Sequence, residues 1–355
     1  MRIAVNGYFY SQPFCGQGVY LQNVLRVLSL LKDGNEYLLF RPLVSGRLRR
    51  WYKLLWENFE FPLRCFLARA DLAFIPYFGP PLFSPVPFVL TIHDLVPYLF
   101  AQYRLPVIGN LYNLLRRFGA SRALWVIADS ISTRDDILNL LRLPEKKVKV
   151  VYLGVEPEFR KIDTPFKLDE ARLRLNLPEK FILYVGGMDY RKNLKRLVKA
   201  VGLLSKDDSA LSLVIVGQPK VQHLKYLDYP YIKIINKADR KDLPAIYNLA
   251  KVFVYPSLYE GFGLPPLEAL ACGIPVVVSR NSSLGEIFNE AGYYIEDERN
   301  VESIALALDK ALHPDPSEFR TKQEKGFELA KRYNWEETAR CLAEVFNYEN
   351  CCCSR

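Results

Sequence analysis

The chain has 355 residues, half of them hydrophobic and a quarter charged; this is globular composition without the marks of disorder, and too long for one ordinary core. Its formal net charge of +9 favours an anionic partner, whether nucleotide, nucleic acid or acidic membrane surface. No run approaches the roughly 18 uninterrupted apolar residues of a spanning helix, and MRIAVNGYFY opens directly as a strand, so neither a transmembrane span nor a secretory signal is expected.

In chain order, the first half offers short β-rich runs at 2–6, 37–40, 72–76, 88–92, 125–128 and 149–153. Between several of them lie segments of helical period, such as Leu21, Val24, Leu25 and Leu28. Alternating strands and helices predict a largely parallel sheet covered on both faces. After the first strand comes Gly16-Gln-Gly18, which is either a plain tight turn or a place where backbone can approach a phosphate or sugar. Leu21 stands where a dinucleotide fingerprint would have its third glycine, which argues against an oxidoreductase. Residues 41–69 carry seven Arg or Lys against two Glu, interleaved with Trp51, Tyr52, Trp56 and Phe59. This segment suits an anionic membrane interface, or equally a helix packed on the first sheet with an arginine-rich outer face. A second such segment spans 103–122. His93 closes the strand PFVLTIHD at the end where open α/β sheets place ligands, so a site role is expected for it; His223 and His313 fall in polar loops and receive none.

Proline and charge accumulate over 156–180, the expected boundary between a first domain (1–165) and a second (166–334). Strands then recur at 181–185, 213–216, 232–235, 252–255, 275–278 and 293–295, with helices near 193–204 and 243–250 and a final helix over 335–350. Two doubly wound Rossmann-like domains would face each other across a central cleft, the default site for a ligand.

The second half carries the chemistry. In VFVYPSLYEGFGLPPLEALACGIPVVVS, Glu260 and Glu268 stand eight positions apart across a glycine and proline turn. A helix cannot run on from Ser257 through Gly261, Gly263, Pro265 and Pro266, but one can start at the prolines. Glu260 is then left in the loop at a strand end, and Glu268 falls in the first turn of the helix. Carboxylates there suit hydroxyls, and the backbone N–H groups of Phe262, Gly263 and Leu264 suit an anion. Gly186-Gly187-Met-Asp-Tyr-Arg191-Lys192-Asn193 lies at another strand-to-helix turn and is either a solvated basic turn or an anion cradle, in which a guanidinium forks two oxygens while an ammonium adds point charge. With no D-x-D pair near either site, no metal is expected, and Arg191 and Lys192 would hold a diphosphate. Nucleic acid is not indicated, since zinc ligands, RNA-binding aromatic signatures and basic zippers are missing from the sequence. The seven cysteines form no C-x-x-C pair, which favours a reduced, cytoplasmic setting, and the Cys351–Cys353 tail receives no role.

The Glu260/Glu268 block resembles the signature of the retaining glycosyltransferases of family 4, which have the GT-B fold. The likeness extends through CGQGVYLQNVLRVL, TIHDL, ADSISTRDDIL, VYLGVEPEF, VGGMDYRKNLKRLV and Tyr333-Asn334-Trp335-Glu336, nearly the whole chain. It is nearest to bacterial mannosyltransferases that build O-antigen and other surface polysaccharides. The resemblance implies that Glu268 binds the ribose hydroxyls of the nucleotide and that Glu260 lies beside the donor sugar. Arg191 and Lys192 would neutralise the diphosphate leaving group, helped by Gly187 and the amides of 262–264. Gly16 and Gly18 would close over the diphosphate from the first domain, His93 would contact the donor sugar, and the helix 335–350 would return to the first domain. It further implies a metal-independent transfer of a hexose without a separate cofactor, mannose from GDP-mannose ahead of glucose from a UDP donor. The acceptor would be a glycan or polyprenyl-linked saccharide, on the cytoplasmic side with peripheral contact to the membrane. A nucleotide-sugar epimerase or phosphorylase, or a non-catalytic scaffold that binds a nucleotide sugar, are the competing readings.

Overall fold

The computed structural model describes all residues except 13–14, 43–48, 104–106, 220–222, 224, 237 and 353–355. The chain divides into two units, Met1–Gly154 together with Trp335–Arg355, and Val155–Asn334.

The first unit is built on a six-stranded sheet of β1 (Arg2–Asn6), β2 (Glu36–Phe40), β3 (Leu72–Ile75), β4 (Phe88–Ile92), β5 (Trp125–Ala128) and β6 (Val148–Val150), in the order β2-β1-β3-β4-β5-β6. Every pairing is parallel, with Val5 level with both Leu39 and Phe74. Strands covered on both faces read as unbroken apolar runs, and LAFI and FVLTI are buried at every position. The helix Gly16–Leu28 buries Leu21, Val24 and Leu28. The helix Trp335–Cys352 completes this unit. Its Phe346 ring lies 5.1 Å from that of Phe74, Trp335 lies 6.2 Å from Tyr20, and Thr338 Oγ1 donates to the Tyr152 carbonyl at 2.8 Å.

The second unit repeats the plan with β7 (Lys180–Val185), β8 (Leu211–Val216), β9 (Ile232–Ile235), β10 (Val252–Tyr255), β11 (Val276–Ser279) and β12 (Tyr293–Ile295), ordered β12-β11-β10-β7-β8-β9 and again all parallel. The expected domain boundary at 165 moves to Gly154. The segment after Gly154 is stitched onto the second unit: the Val155 N–H donates to Tyr333 O at 2.9 Å, the Ile162 N–H donates to Asn248 Oδ1 at 2.8 Å, and Asn248 Nδ2 donates back to Arg160 O at 2.9 Å. Its proline and charge content marks a connection, and the connection belongs to the second unit. Among the described residues no helix is long and apolar enough to cross a membrane.

Candidate active site

The site-bearing loop of the second unit runs from the end of β10 at Tyr255 to the helix Leu264–Ala271. Gly263 caps that helix at φ +107°, and a Cβ there would meet Leu284 Cδ2 at 2.8 Å, so the position requires glycine. The loop is held from the following turn: Ser282 Oγ accepts from the Glu260 N–H at 3.0 Å, while Ser283 Oγ lies 2.9 Å from Glu260 O and 3.0 Å from Phe262 O. The Leu258 N–H donates to Arg191 O at 2.7 Å and ties the loop to the basic turn after β7. Asn193, in the left-handed region at φ +59°, adds a bond from Nδ2 to Pro256 O at 3.0 Å.

This framework brings Glu260, Arg191 and Lys192 together. Arg191 Nη1 donates to Glu260 Oε2 and Lys192 Nζ to Glu260 Oε1, both at 2.7 Å. Glu260 is 6 % exposed and Lys192 7 %. Lys192 also bonds the Tyr255 hydroxyl and lies 4.6 Å from the centre of that ring. Burial alone would raise the Glu260 carboxyl, but Arg191 and then Lys192 outweigh it and hold the group at about 2. Burial, reinforced by Arg191, draws the Lys192 ammonium below its ordinary value. One lone pair on each Glu260 oxygen serves a cation, which leaves acceptor capacity for hydroxyls. Gly187 precedes the basic turn; its carbonyl accepts from the Tyr184 hydroxyl at 2.5 Å.

Glu268 lies in the second turn of its helix, as the fifth residue counted from Leu264, and not in the first turn as expected. The helix begins one residue before the prolines, and Glu268 is on its buried side. There Arg240 Nη2 donates to Oε1 at 3.1 Å and the Tyr247 hydroxyl to Oε2 at 2.8 Å. Arg240 is itself held by Glu156, Nε to Oε2 at 2.6 Å. Burial raises the Glu268 carboxyl, with Arg240 and Tyr247 opposing. The surroundings of the two glutamates thus move their carboxyl pKa values in opposite directions. Sequence reasoning missed Tyr255, Arg240 and Tyr247. Tyr255 had a signal, as the last strand residue before the loop; Arg240, in a short turn far along the chain, had none.

In the first unit, Gly16 and Gly18 form the first turn of the helix Gly16–Leu28 and not a turn ahead of it. A Cβ on Gly18 would lie 2.0 Å from Gln12 O, so chain packing alone demands glycine there, while Gly16 faces open space among the described residues. His93 follows β4, with Nδ1 2.6 Å from Asp129 Oδ2 and Nε2 3.0 Å from Pro76 O. The Pro76 carbonyl can only accept, so Nε2 carries a proton, while Nδ1 faces the Asp129 carboxyl. Burial lowers the His93 pKa, but Asp129 outweighs it and the net movement is upward. Both ring nitrogens are thus engaged within the unit. Asp129, at the end of β5, was legible by the same strand-end rule that singled out His93. Among the described residues no three His, Cys, Asp or Glu side chains group as metal ligands.

Two six-stranded parallel units with these loops define a GT-B protein. The same fold is seen in sucrose-phosphate synthase (tll1590) from Thermosynechococcus elongatus, with a TM-score of 0.76 at 20 % identity, covering 99 % of this chain and 100 % of that one. The chain belongs to the glycosyltransferases: Glycosyltransferase Family 4 matches residues 17–159, and Glycosyl transferases group 1 matches 166–328. Among its relatives, O-antigen chain mannosyltransferase B of Escherichia coli is 27 % identical over 381 residues, covering 94 % of this chain and 96 % of the relative. The serotype-specific mannosyltransferase WbdA of Escherichia coli is 28 % identical over 274 residues, covering 73 % of this chain and 33 % of WbdA.

Proposed function

We propose that this glycosyltransferase is a retaining, metal-independent mannosyltransferase of cell-surface polysaccharide synthesis, moving mannose from GDP-mannose to a glycan or polyprenyl-linked saccharide. The observation that carries the transfer chemistry is the buried Glu260 carboxylate held between Arg191 and Lys192. Two cations fixed by a carboxylate suit a diphosphate on which negative charge grows as the anomeric C–O bond breaks. The remaining lone pairs of Glu260 would accept from ring hydroxyls of the moving sugar, and those of Glu268 from the ribose. The N–H groups of 262–264 would line the diphosphate. The acceptor oxygen would attack the anomeric carbon on the face the nucleoside diphosphate leaves, and its proton would pass to the departing phosphate oxygen. The choice of mannose rests on the mannosyltransferase relatives.

Contact with the membrane is part of the same reading. Along the helical run Arg49–Leu55, Trp56–Glu60, Phe61–Leu67, the side chains of Leu55, Phe59, Leu63 and Phe66 are exposed at steps of three and four. An apolar stripe on a basic segment suits an anionic bilayer surface on the cytoplasmic side.

A thermal-shift panel of GDP, GDP-mannose, UDP and UDP-glucose tests the donor assignment. A ligand at a hundred times its Kd stabilises the folded state by about 2.7 kcal/mol. The expected result is a shift with the guanosine ligands alone, lost in Arg191→Ala. Shifts confined to the uridine ligands would replace the donor with a UDP sugar, and no shift with any of them would overturn the transfer reading.

A further inference from the structure

The transfer reading leaves one stretch of the motif VYLGVEPEF without a task, the turn Glu156-Pro157-Glu158-Phe159 just after the boundary at Gly154. The Phe159 N–H donates to Glu156 O at 3.0 Å, the bond that closes a β-turn, and Pro157 in the second position presets the backbone for it. Closing the turn brings its two end residues to the same partner. Glu156 Oε2 accepts from Arg240 Nε at 2.6 Å and is also bonded by Nη2, while the guanidinium carbon of Arg240 lies 5.3 Å from the centre of the Phe159 ring. Phe159 is buried, and its ring meets that of Tyr247 edge-on at 5.7 Å. Glu158, in the middle of the turn, is exposed. The turn is fixed on both sides by the bonds from the Val155 N–H to Tyr333 O and from the Ile162 N–H to Asn248, the residue after Tyr247.

Arg240 and Tyr247 are the two groups that hold Glu268, so one short turn braces both. An ionised carboxylate only accepts, with about four lone-pair sites. A guanidinium beside it favours a bidentate fork, which takes one site on each oxygen. Arg240 does not fork Glu268. It reaches Oε1 through Nη2 at 3.1 Å, while its Nε is taken by Glu156. The Tyr247 hydroxyl takes one site on Oε2. Each Glu268 oxygen thus keeps a lone pair. A fork from Arg240 would join Tyr247 on Oε2 and exhaust that oxygen.

We propose that Glu156 is a positioning residue for nucleotide recognition: it draws Arg240 aside, over the Phe159 ring, so that Glu268 keeps acceptor sites for both ribose hydroxyls. Glu156 acts through Arg240 and has no substrate contact of its own. The role requires an acceptor oxygen at this position and not a charge. The assignment rests on the reading above in which Glu268 binds the ribose.

The test is a calorimetric titration of the full chain with GDP and with dideoxy-GDP, which lacks both ribose hydroxyls; the uridine pair replaces them if the donor panel selects UDP. The wild-type protein should favour GDP by ~10-fold or more, as expected for hydrogen bonds to a charged group. Glu156→Ala frees Arg240 to fork Glu268, and should weaken GDP by ~10-fold while leaving dideoxy-GDP unchanged. Glu156→Gln keeps an acceptor oxygen for Arg240 and should restore most of the discrimination. Should Glu156→Ala not fold, Phe159→Leu removes the ring that seats the guanidinium and should lower GDP affinity alone. Glu158→Ala, on the exposed neighbour, should match wild type. Undiminished discrimination in folded Glu156→Ala or Phe159→Leu would overturn the assignment. So would an equal loss for both nucleotides, which is what a purely structural role produces. Failure of the underlying reading is told apart by the wild-type protein itself, if it binds the ribose and dideoxy forms equally or binds neither.

Discussion

Neutralising Glu260 leaves Arg191 and Lys192 facing one another without their shared counter-charge. The folded carboxyl, at about 2, lies below the ordinary glutamate value of 4.5. A group depressed by folding contributes stability above its unfolded pKa and loses that contribution as pH falls toward the folded one. The difference of about 2.5 units corresponds to roughly 3 kcal/mol. Glu260→Gln should therefore unfold in urea with a stability about 3 kcal/mol below wild type near neutral pH, the gap narrowing progressively below about pH 5. A gap that stayed constant through that range would show that the Glu260 charge is not what the fold uses. Glu260, Arg191 and Lys192 were each legible in the sequence, because each sits at a strand-to-helix junction among glycines. Their mutual contact was not. Sixty-nine positions separate Arg191 from Glu260, and 28 separate Arg240 from Glu268; a local pattern cannot say which distant cation a carboxylate will meet.

Among the elements, the first turn of the helix Gly16–Leu28 separates two glycines that look alike in sequence. Gly18→Ala drives a Cβ into Gln12 O at 2.0 Å and Phe9 O at 2.9 Å, backbone atoms with little room to yield, and should cost about 1–3 kcal/mol in calorimetric unfolding. Gly16→Ala meets nothing among the described residues, and alanine favours a helix over glycine by up to ~1 kcal/mol. Its melting temperature should hold or rise; a clear fall would show that the first turn needs glycine at both positions. The strands themselves were the easiest elements to read, since parallel strands buried on both faces leave apolar runs such as LAFI and VVVS. Element starts were harder. The expected first turn for Glu268 failed because Leu264, and not a proline, opens the helix. The boundary near 165 failed because hydrogen bonds, invisible in composition, give residues 155–162 to the second unit.

For the molecule as a whole, the net charge of +9 and the exposed Leu55, Phe59, Leu63 and Phe66 together predict binding to anionic vesicles. In co-sedimentation, vesicles rich in acidic phospholipid should retain the protein and zwitterionic vesicles should not, with retention falling as salt screens the attraction. Leu63→Asp with Phe66→Asp should reduce it by ~10-fold or more through the lost apolar insertion. Equal retention on both vesicle types, or none on either, would remove the bilayer from the reading.

The first unit draws on both ends of the chain, whereas the second is continuous. During synthesis, β1 to β6 leave the ribosome before any residue of the second sheet, yet Trp335, Leu342 and Phe346, which are buried in the finished protein, arrive after the whole of it. The sheet that is made first is the one sealed last. In the interval, Phe74 and Tyr37 lack the aromatic neighbour that later covers them, so the nascent chain carries an open apolar face for the time needed to translate the entire second unit.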